Sequence, residues 1–297
     1  MRNAIETEYG HTGFNVYAMR KVHIMRTEEK YEACLRALAD YAASAGFSDV
    51  VLGLSGGIDS SVVAALCVDA FGAEHVHGYM LPGPYSTGHS VDDASDLAVN
   101  LGIKAEIISI LEPYEAFESV LSRPCGGSFR GLASENTQAR CRMVCLMALS
   151  NRYGWMLVNT GNKSEAMMGY STLYGDTAGA FAPIGGLYKT DVYAIGRYAN
   201  EKAHSEGHIP PIPEQVFTKP PSAELSPGQQ DEKSLGIDYA MLDQLLIGHY
   251  EHGKTAAEMA AVSDRSVGSI QRIFDDADGF AFKRAMEPSF PSDLFYA

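Results

Sequence analysis

Six consecutive residues, Ser55-Gly56-Gly57-Ile58-Asp59-Ser60, concentrate groups that could do chemistry. Two adjacent glycines let the backbone turn sharply and aim amide N–H groups into a concavity. Where such a turn opens a helix, the helix dipole adds to the attraction for an anion such as phosphate. The hydroxyls of Ser55 and Ser60 add donors. Asp59 is the odd member: a carboxylate beside bound phosphate is repelled unless a divalent cation lies between them, which makes Asp59 a candidate Mg²⁺ ligand. The same residues could also form an ordinary helix cap after a tight turn. A second group, Asn159-Thr160-Gly161-Asn162-Lys163-Ser164-Glu165, brings a hydroxyl at Thr160 and a second carboxylate at Glu165. Read alone, Ser164 and Glu165 serve equally well as a helix cap and a favourable first-turn charge.

Both groups follow short apolar runs, as they must if strands are to present them. Val50, Val51, Leu52 and Leu54 read as a strand, and residues 60–71 as a buried helix closed by Gly72. Further β-type runs lie at 75–79, 105–110 and 155–159, separated by segments of helical character. A helix is expected over about 135–152 and another over about 189–204, after a turn at 183–186. Strands alternating with helices predict an α/β fold: a doubly wound, mainly parallel sheet with helices on both faces and a helical C-terminal extension. Ligands in such sheets bind at the carboxyl ends of strands, where both groups fall. One domain is expected, with an N-terminal arm (about 1–26), an α/β core (about 27–209), a Pro-rich loop (about 210–234) and a helical part (about 235–297). Within the loop, 210–227 cannot be regular for long, and beyond it the pattern is helical only.

The whole chain has 297 residues, 46% of them hydrophobic, enough for an ordinary core. Its 37 acidic against 23 basic residues give a net charge of −14, which disfavours non-specific binding to nucleic acid or anionic membrane. Any polyanionic ligand must meet a local basic cluster. Five cysteines without a CxxC pair suit a reducing cytoplasm, and no signal peptide or membrane-spanning run is expected. Cys141 and Cys145, one helical turn apart, read as small packing residues, and His75 and His77 as structural. The segment 255–274 has the look of a helix-turn-helix, so a DNA-binding regulator acting through 255–275 is the rival from another class. Few basic residues there, and Asp275, Asp276 and Asp278 immediately after, speak against it.

The loop lacks the spacing of GxxxxGK[ST] and of GxGxxG. It resembles instead the loop of the pyrophosphatase-loop ATP ligases, which release pyrophosphate and leave AMP on the substrate. By itself it does not separate NAD synthetases from GMP synthetases, asparagine synthetases or the tRNA-modifying members. Longer runs do. VNTGNKSEAMMGYSTLYGD, PIGGLYKTDVYAIGRYAN and KPPSAELSPGQQDEKSLGIDYAMLD are similar to NAD synthetases in order and spacing. Asn136 to Met143 resembles that family's pattern of Asn, then Ala-Arg, then Arg-Met on a helix. The likeness covers about 50–242.

The resemblance implies ATP contacts from Gly53, Leu54, Ser55, Gly56, Gly57, Ile58, Asp59, Ser60, Thr160, Lys189 and Ser222. It implies Mg²⁺ at Asp59 and Glu165, and contacts with deamido-NAD from Arg140 and Lys283. It further implies a homodimer whose interface helps form the deamido-NAD site. The reaction implied is attack of a nicotinate carboxylate on the α-phosphate of ATP, loss of pyrophosphate, and attack of ammonia on the adenylate. No covalent nucleophile is required. Two positions depart from one branch of the family: Leu173 and Ala180 stand where that branch has Lys and an acid that help bind deamido-NAD. STLYGD is closer to the glutamine-dependent branch, whose glutaminase domain precedes the synthetase part. With about fifty residues before the loop, free ammonia or ammonia from a separate glutaminase subunit is the expected nitrogen source. The alternatives are a sister amidotransferase of the same loop family acting on another carboxylate, and a nucleotide-binding module without turnover.

Overall fold

The computed structural model describes residues 25–291 and 295–296; the expected N-terminal arm lies outside the described residues except for Met25 and Arg26. After helix α1 (Thr27–Ala45), strand β1 (Val50–Gly53) runs through the middle of a four-stranded sheet with β2 (Val76–Met80), β3 (Lys104–Ile107) and β4 (Met156–Leu157). All pairings are parallel and the order is β3-β2-β1-β4, with Val50 opposite both Val76 and Met156. A central parallel strand must be apolar on both faces. Val50 and Leu52 accordingly join the core on one side of the sheet, and Val51 joins the core on the other.

The first side is covered by α1, α2 (Ile58–Phe71), α3 (Gly88–Leu101) and α7 (Lys189–Ser205). Helix α2 is buried almost all round, from Ser60 through Cys67, because neighbours enclose it on several sides. The other side is covered by α4 (Leu111–Leu121) and α5 (Leu132–Tyr153), through Tyr114 and Cys141. Between β4 and α7 lies the short α6 (Lys163–Met167), and α7 is followed by α8 (Glu214–Thr218), α9 (Asp231–Leu235), α10 (Tyr239–Leu246), α11 (Ala256–Ala260), α12 (Val267–Gly279) and α13 (Ala281–Arg284).

The expected fold class is present, and the differences are local. Helix α2 starts at Ile58, two residues early, because Gly57 takes the cap position. Strand β3 ends at Ile107 rather than 110, yet Ile108 N–H still donates to the Met80 carbonyl (2.9 Å) and Ile110 N–H to the Pro82 carbonyl (3.0 Å). Residues 210–227 hold one short helix, α8, with Pro213 at its cap position, and α9 begins before the expected end of the Pro-rich loop. The C-terminal part departs from the all-helical expectation at Ser289, which forms a parallel bridge to Phe181, itself bridged to Val158 beside β4. The helix-turn-helix look is real locally: Thr255 and Glu258 form a capping box and Ser266 caps α12. Helix α12 buries Ile270, Phe274 and Ala277 in the main core.

Candidate active site at the reversal of strand order

Strand order reverses beside β1, since β2 lies on one side and β4 on the other. The loops leaving the carboxyl ends of β1 and β4 therefore separate and leave a crevice. A cleft of about 590 Å³ opens there, lined by the 53–60 loop, residues 157–162, Glu165, Lys189 and the segment 219–231.

The glycine loop is internally braced. Ser55 and Ser60 hydroxyls lie 3.0 Å apart, Gly57 N–H donates to Ser55 Oγ (3.2 Å), and Ser60 Oγ donates to the Gly57 carbonyl (3.1 Å). Gly56 has φ +72°, and a Cβ there would lie 2.2 Å from the Ser90 carbonyl oxygen at the start of α3. Only glycine satisfies both demands. The first-turn amides of Ile58, Asp59 and Ser60 have no helical carbonyl to bond and face the cleft end of α2.

Three charged side chains meet beside that turn. Lys189 Nζ lies 2.6 Å from Asp59 Oδ2 and 2.8 Å from Glu165 Oε1, and Asn162 Nδ2 donates to Asp59 Oδ1 (2.8 Å). The lysine side chain is only 2% exposed. Burial acts against its charge, but Asp59 and Glu165 together outweigh that and hold the ammonium well above the usual lysine range. Burial pushes the Glu165 carboxyl up to about 7, with Lys189 opposing the rise and Asp59 and Asp231 adding to it. Asn162, not Ser164, caps α6 by accepting the Glu165 N–H (3.0 Å), while Ser164 Oγ donates to Asp243. Glu165 is thus held in place by a cap it does not itself provide.

Of the residues expected at the site, Gly53, Leu54, Ser55, Gly57, Ile58, Asp59, Ser60, Thr160, Glu165, Lys189 and Ser222 all line the cleft. Gly56 stands behind them, against α3. Arg140 and Lys283 do not line it. Arg140 is exposed on α5 and donates to the Leu173 carbonyl (3.2 Å), and Lys283 Nζ donates to the carbonyls of Gly169 (2.7 Å) and Ser171 (2.8 Å), shaping the wall from behind. Arg142 reaches the cleft instead, its Nε donating to the Leu81 carbonyl (2.9 Å). On a helix, positions two apart point in opposed directions, so the Arg-x-Arg spacing requires that the two face differently; which one faces inward depends on how α5 meets the sheet. Tyr170, Asp176, Lys219, Glu224 and Glu287 also line the cleft; the first four fall within the runs that carry the family resemblance but are not singled out there, and Glu287 has no local sequence signal. Ser171 Oγ, in the same wall, is buried without a hydrogen-bond partner among the described residues.

The NAD synthase family model matches residues 30–287. The chain belongs to the NAD synthase family. Among relatives of the chain, the glutamine-dependent NAD(+) synthetase of Thermotoga maritima is 46% identical over 237 residues, 80% of this chain and 40% of that protein. The chain therefore spans about two-fifths of the length of that relative. Among solved structures, the NMN synthetase of Francisella tularensis superposes with TM-score 0.71 at 30% identity, covering 88% of this chain and 96% of that one. The NH3-dependent NAD synthetase of Campylobacter jejuni gives 0.68 at 29% identity, covering 87% and 96%.

Proposed function

We propose that the cleft amidates the nicotinate carboxylate of deamido-NAD, consuming ATP and ammonia and releasing NAD, AMP and pyrophosphate. The observation that carries this reading is the meeting of Asp59, Glu165 and Lys189 beside the first turn of α2, inside a cleft of nucleotide size. A carboxylate resists nucleophiles because its own charge repels them, so it must first be made an anhydride with AMP. The amides of Ile58, Asp59 and Ser60 would hold the phosphates, with Thr160 and Ser222 on the nucleotide. Asp59 and Glu165 fit a Mg²⁺ ion: both are hard oxygen donors, and both already contact one cationic atom, Lys189 Nζ. An ion held there would offset the charge that builds on the leaving pyrophosphate. With triphosphate in the cleft, Lys189 would turn its charge toward phosphate, which supplies part of the positive field that a −14 chain otherwise lacks. No covalent nucleophile is needed; positioning carries the rate.

The likeness to the NH3-dependent enzyme supports free ammonia as nitrogen donor, and the likeness to the glutamine-dependent enzyme supports delivery from a glutaminase. The exposed face of α5, with Arg140, Leu132 and Val144, supports a homodimer that completes the deamido-NAD site around Arg140 and the wall held by Lys283. Leu173 and Ala180 leave that site without the Lys and acid of one branch. A cytoplasmic setting goes with this reading; among the described residues, no helix is long and apolar enough to cross a membrane.

A second reading, formation of NMN from its mononucleotide acid, is favoured by the likeness to the Francisella enzyme. One assay decides. The protein is mixed with ATP, Mg²⁺, ammonium or glutamine, and deamido-NAD or nicotinate mononucleotide, and NAD, NMN and AMP are measured. NAD with AMP is the expected result. Turnover only with the mononucleotide selects the second reading, turnover only with another acid selects a sister ligase, and ATP binding without turnover selects a nucleotide-binding module.

A further inference from the structure

The segment 219–231 lines the cleft as a unit bonded to itself. Ser222 Oγ donates to the Gln229 carbonyl (2.7 Å), Leu225 N–H donates to Gln229 Oε1 (2.8 Å), and Asp231 N–H donates to the Pro221 carbonyl (2.9 Å). A loop closed by its own hydrogen bonds moves as one body. What fixes its position is therefore a small set of outward bonds.

Those bonds are unequal. On the α5 side, Gln138 Nε2 donates to the Leu225 carbonyl (2.9 Å), and Gln229 Nε2 donates to Tyr170 Oη (2.7 Å). On the α3 side the Glu224 carboxylate sits on the start of the helix. Its Oε1 accepts from Ser90 Oγ (2.6 Å) and Thr87 Oγ1 (3.0 Å), and its Oε2 accepts from Thr87 N–H (3.1 Å). Charge-assisted bonds at a helix N-terminus are the stronger kind. Lys219 adds a second fastening, to Asp93 (3.0 Å) and Ser90 Oγ (3.1 Å). Glu224 itself has φ +50°, a left-handed conformation that a non-glycine residue adopts only when its surroundings impose it. Ser90, which donates to it, is the residue whose carbonyl packs on Gly56 of the glycine loop.

We propose that Glu224 is a positioning residue that latches the 219–231 segment over the glycine loop, through Ser90 and its contact with Gly56, and so sets the affinity for ATP rather than the rate of the chemical step. The inference rests on the reading of the cleft as an ATP site. Releasing the latch frees the segment at its α3 side and leaves Ser222 unheld above the nucleotide. Glu224→Ala loses all three bonds. Glu224→Gln keeps one acceptor but turns an amide N–H toward donors, so it loses part of the effect.

The test measures Mg-ATP affinity by calorimetry and backbone amide exchange by mass spectrometry on wild type, Glu224→Ala, Glu224→Gln, Ser90→Ala and the Glu224→Ala/Ser90→Ala double variant. The expected result for Glu224→Ala is about tenfold weaker ATP binding, faster exchange confined to 219–231, and kcat at saturating ATP within about twofold of wild type. Glu224→Gln should fall between, and the double variant should lose less than the sum of the two single changes, since both break the Glu224–Ser90 bond while Ser90→Ala alone also removes the Lys219–Ser90 bond. Unchanged affinity and exchange in Glu224→Ala overturn the proposal. So does a loss of kcat at unchanged affinity, or faster exchange spread over the whole core. Absence of ATP binding in the wild type would sink the ATP reading itself, a result the variants cannot mimic.

Discussion

Lys189 is a buried ammonium between two carboxylates, an arrangement whose halves depend on each other. Removing one partner of a buried pair leaves the rest desolvated and uncompensated, at about 3 kcal/mol or more. Lys189→Met should therefore lower stability by roughly that amount in metal-free protein. Mg²⁺ should restore part of it, because a divalent ion can take the place between Asp59 and Glu165. Thermal melts with and without Mg²⁺ check this: a Mg²⁺-induced rise no larger in the variant than in wild type removes the metal assignment. Asp59→Asn should reduce pyrophosphate release by about 100-fold or more, as loss of a preorganised charge contact does. Full activity in that variant would likewise remove Asp59 from the metal site. Asp59 was legible in sequence because a glycine pair with an isolated acid beside it is a local signal; Glu165 read equally well as a first-turn helix charge, and Lys189 was marked only by the family resemblance. Arg142 and Glu224 were not legible, because a helix's facing direction and partners some 130 residues distant are fixed only by packing.

Helix α2 and its loop are the element on which the rest is hung. The loop approaches α3 so closely at Gly56 that even one added methyl meets backbone, and its φ of +72° excludes an easy alternative. Gly56→Ala should weaken ATP binding by more than tenfold, with only modest loss of overall stability, since the strain is confined to the loop. Calorimetric titration with ATP beside a urea melt separates the two. The strand preceding it was legible because Val50, Val51 and Leu52 are apolar in succession, as a strand buried on both faces requires. The end of β3 was not: Ile108 and Ile110 are apolar like strand residues and still hydrogen-bond to Met80 and Pro82, but the chain turns there into α4.

At the scale of the molecule, the cleft is closed from behind by the C-terminal residues. Glu287 lines it, and burial together with repulsion from Asp176 holds its carboxyl up at about 7, with Arg284 opposing. A carboxyl whose folded pKa is raised favours the folded state when protonated. That contribution is full below the ordinary value near 4.5 and is lost as pH rises through 7. Glu287→Gln should abolish this loss, so the variant gains on wild type between pH 5 and pH 8. Urea midpoints at the two pH values check it, and parallel behaviour would refute the assignment. The proposed dimer is tested at the same scale: Val144→Glu on the exposed face of α5 should shift sedimentation toward monomer.

The amino-acid sequence by itself determined the alternation of strands and helices, the glycine turn at 55–60 and the presence of carboxylates at 59 and 165. Each depends on the intrinsic period, conformational freedom or charge of neighbouring residues. Tertiary structure decided what those groups face. It put Lys189 between Asp59 and Glu165, turned Arg142 inward and Arg140 outward, and seated Glu224 on the start of α3. Those pairings join residues far apart in the chain, and only the packing of α3, α5 and α7 on the sheet brings their side chains within a hydrogen bond of each other.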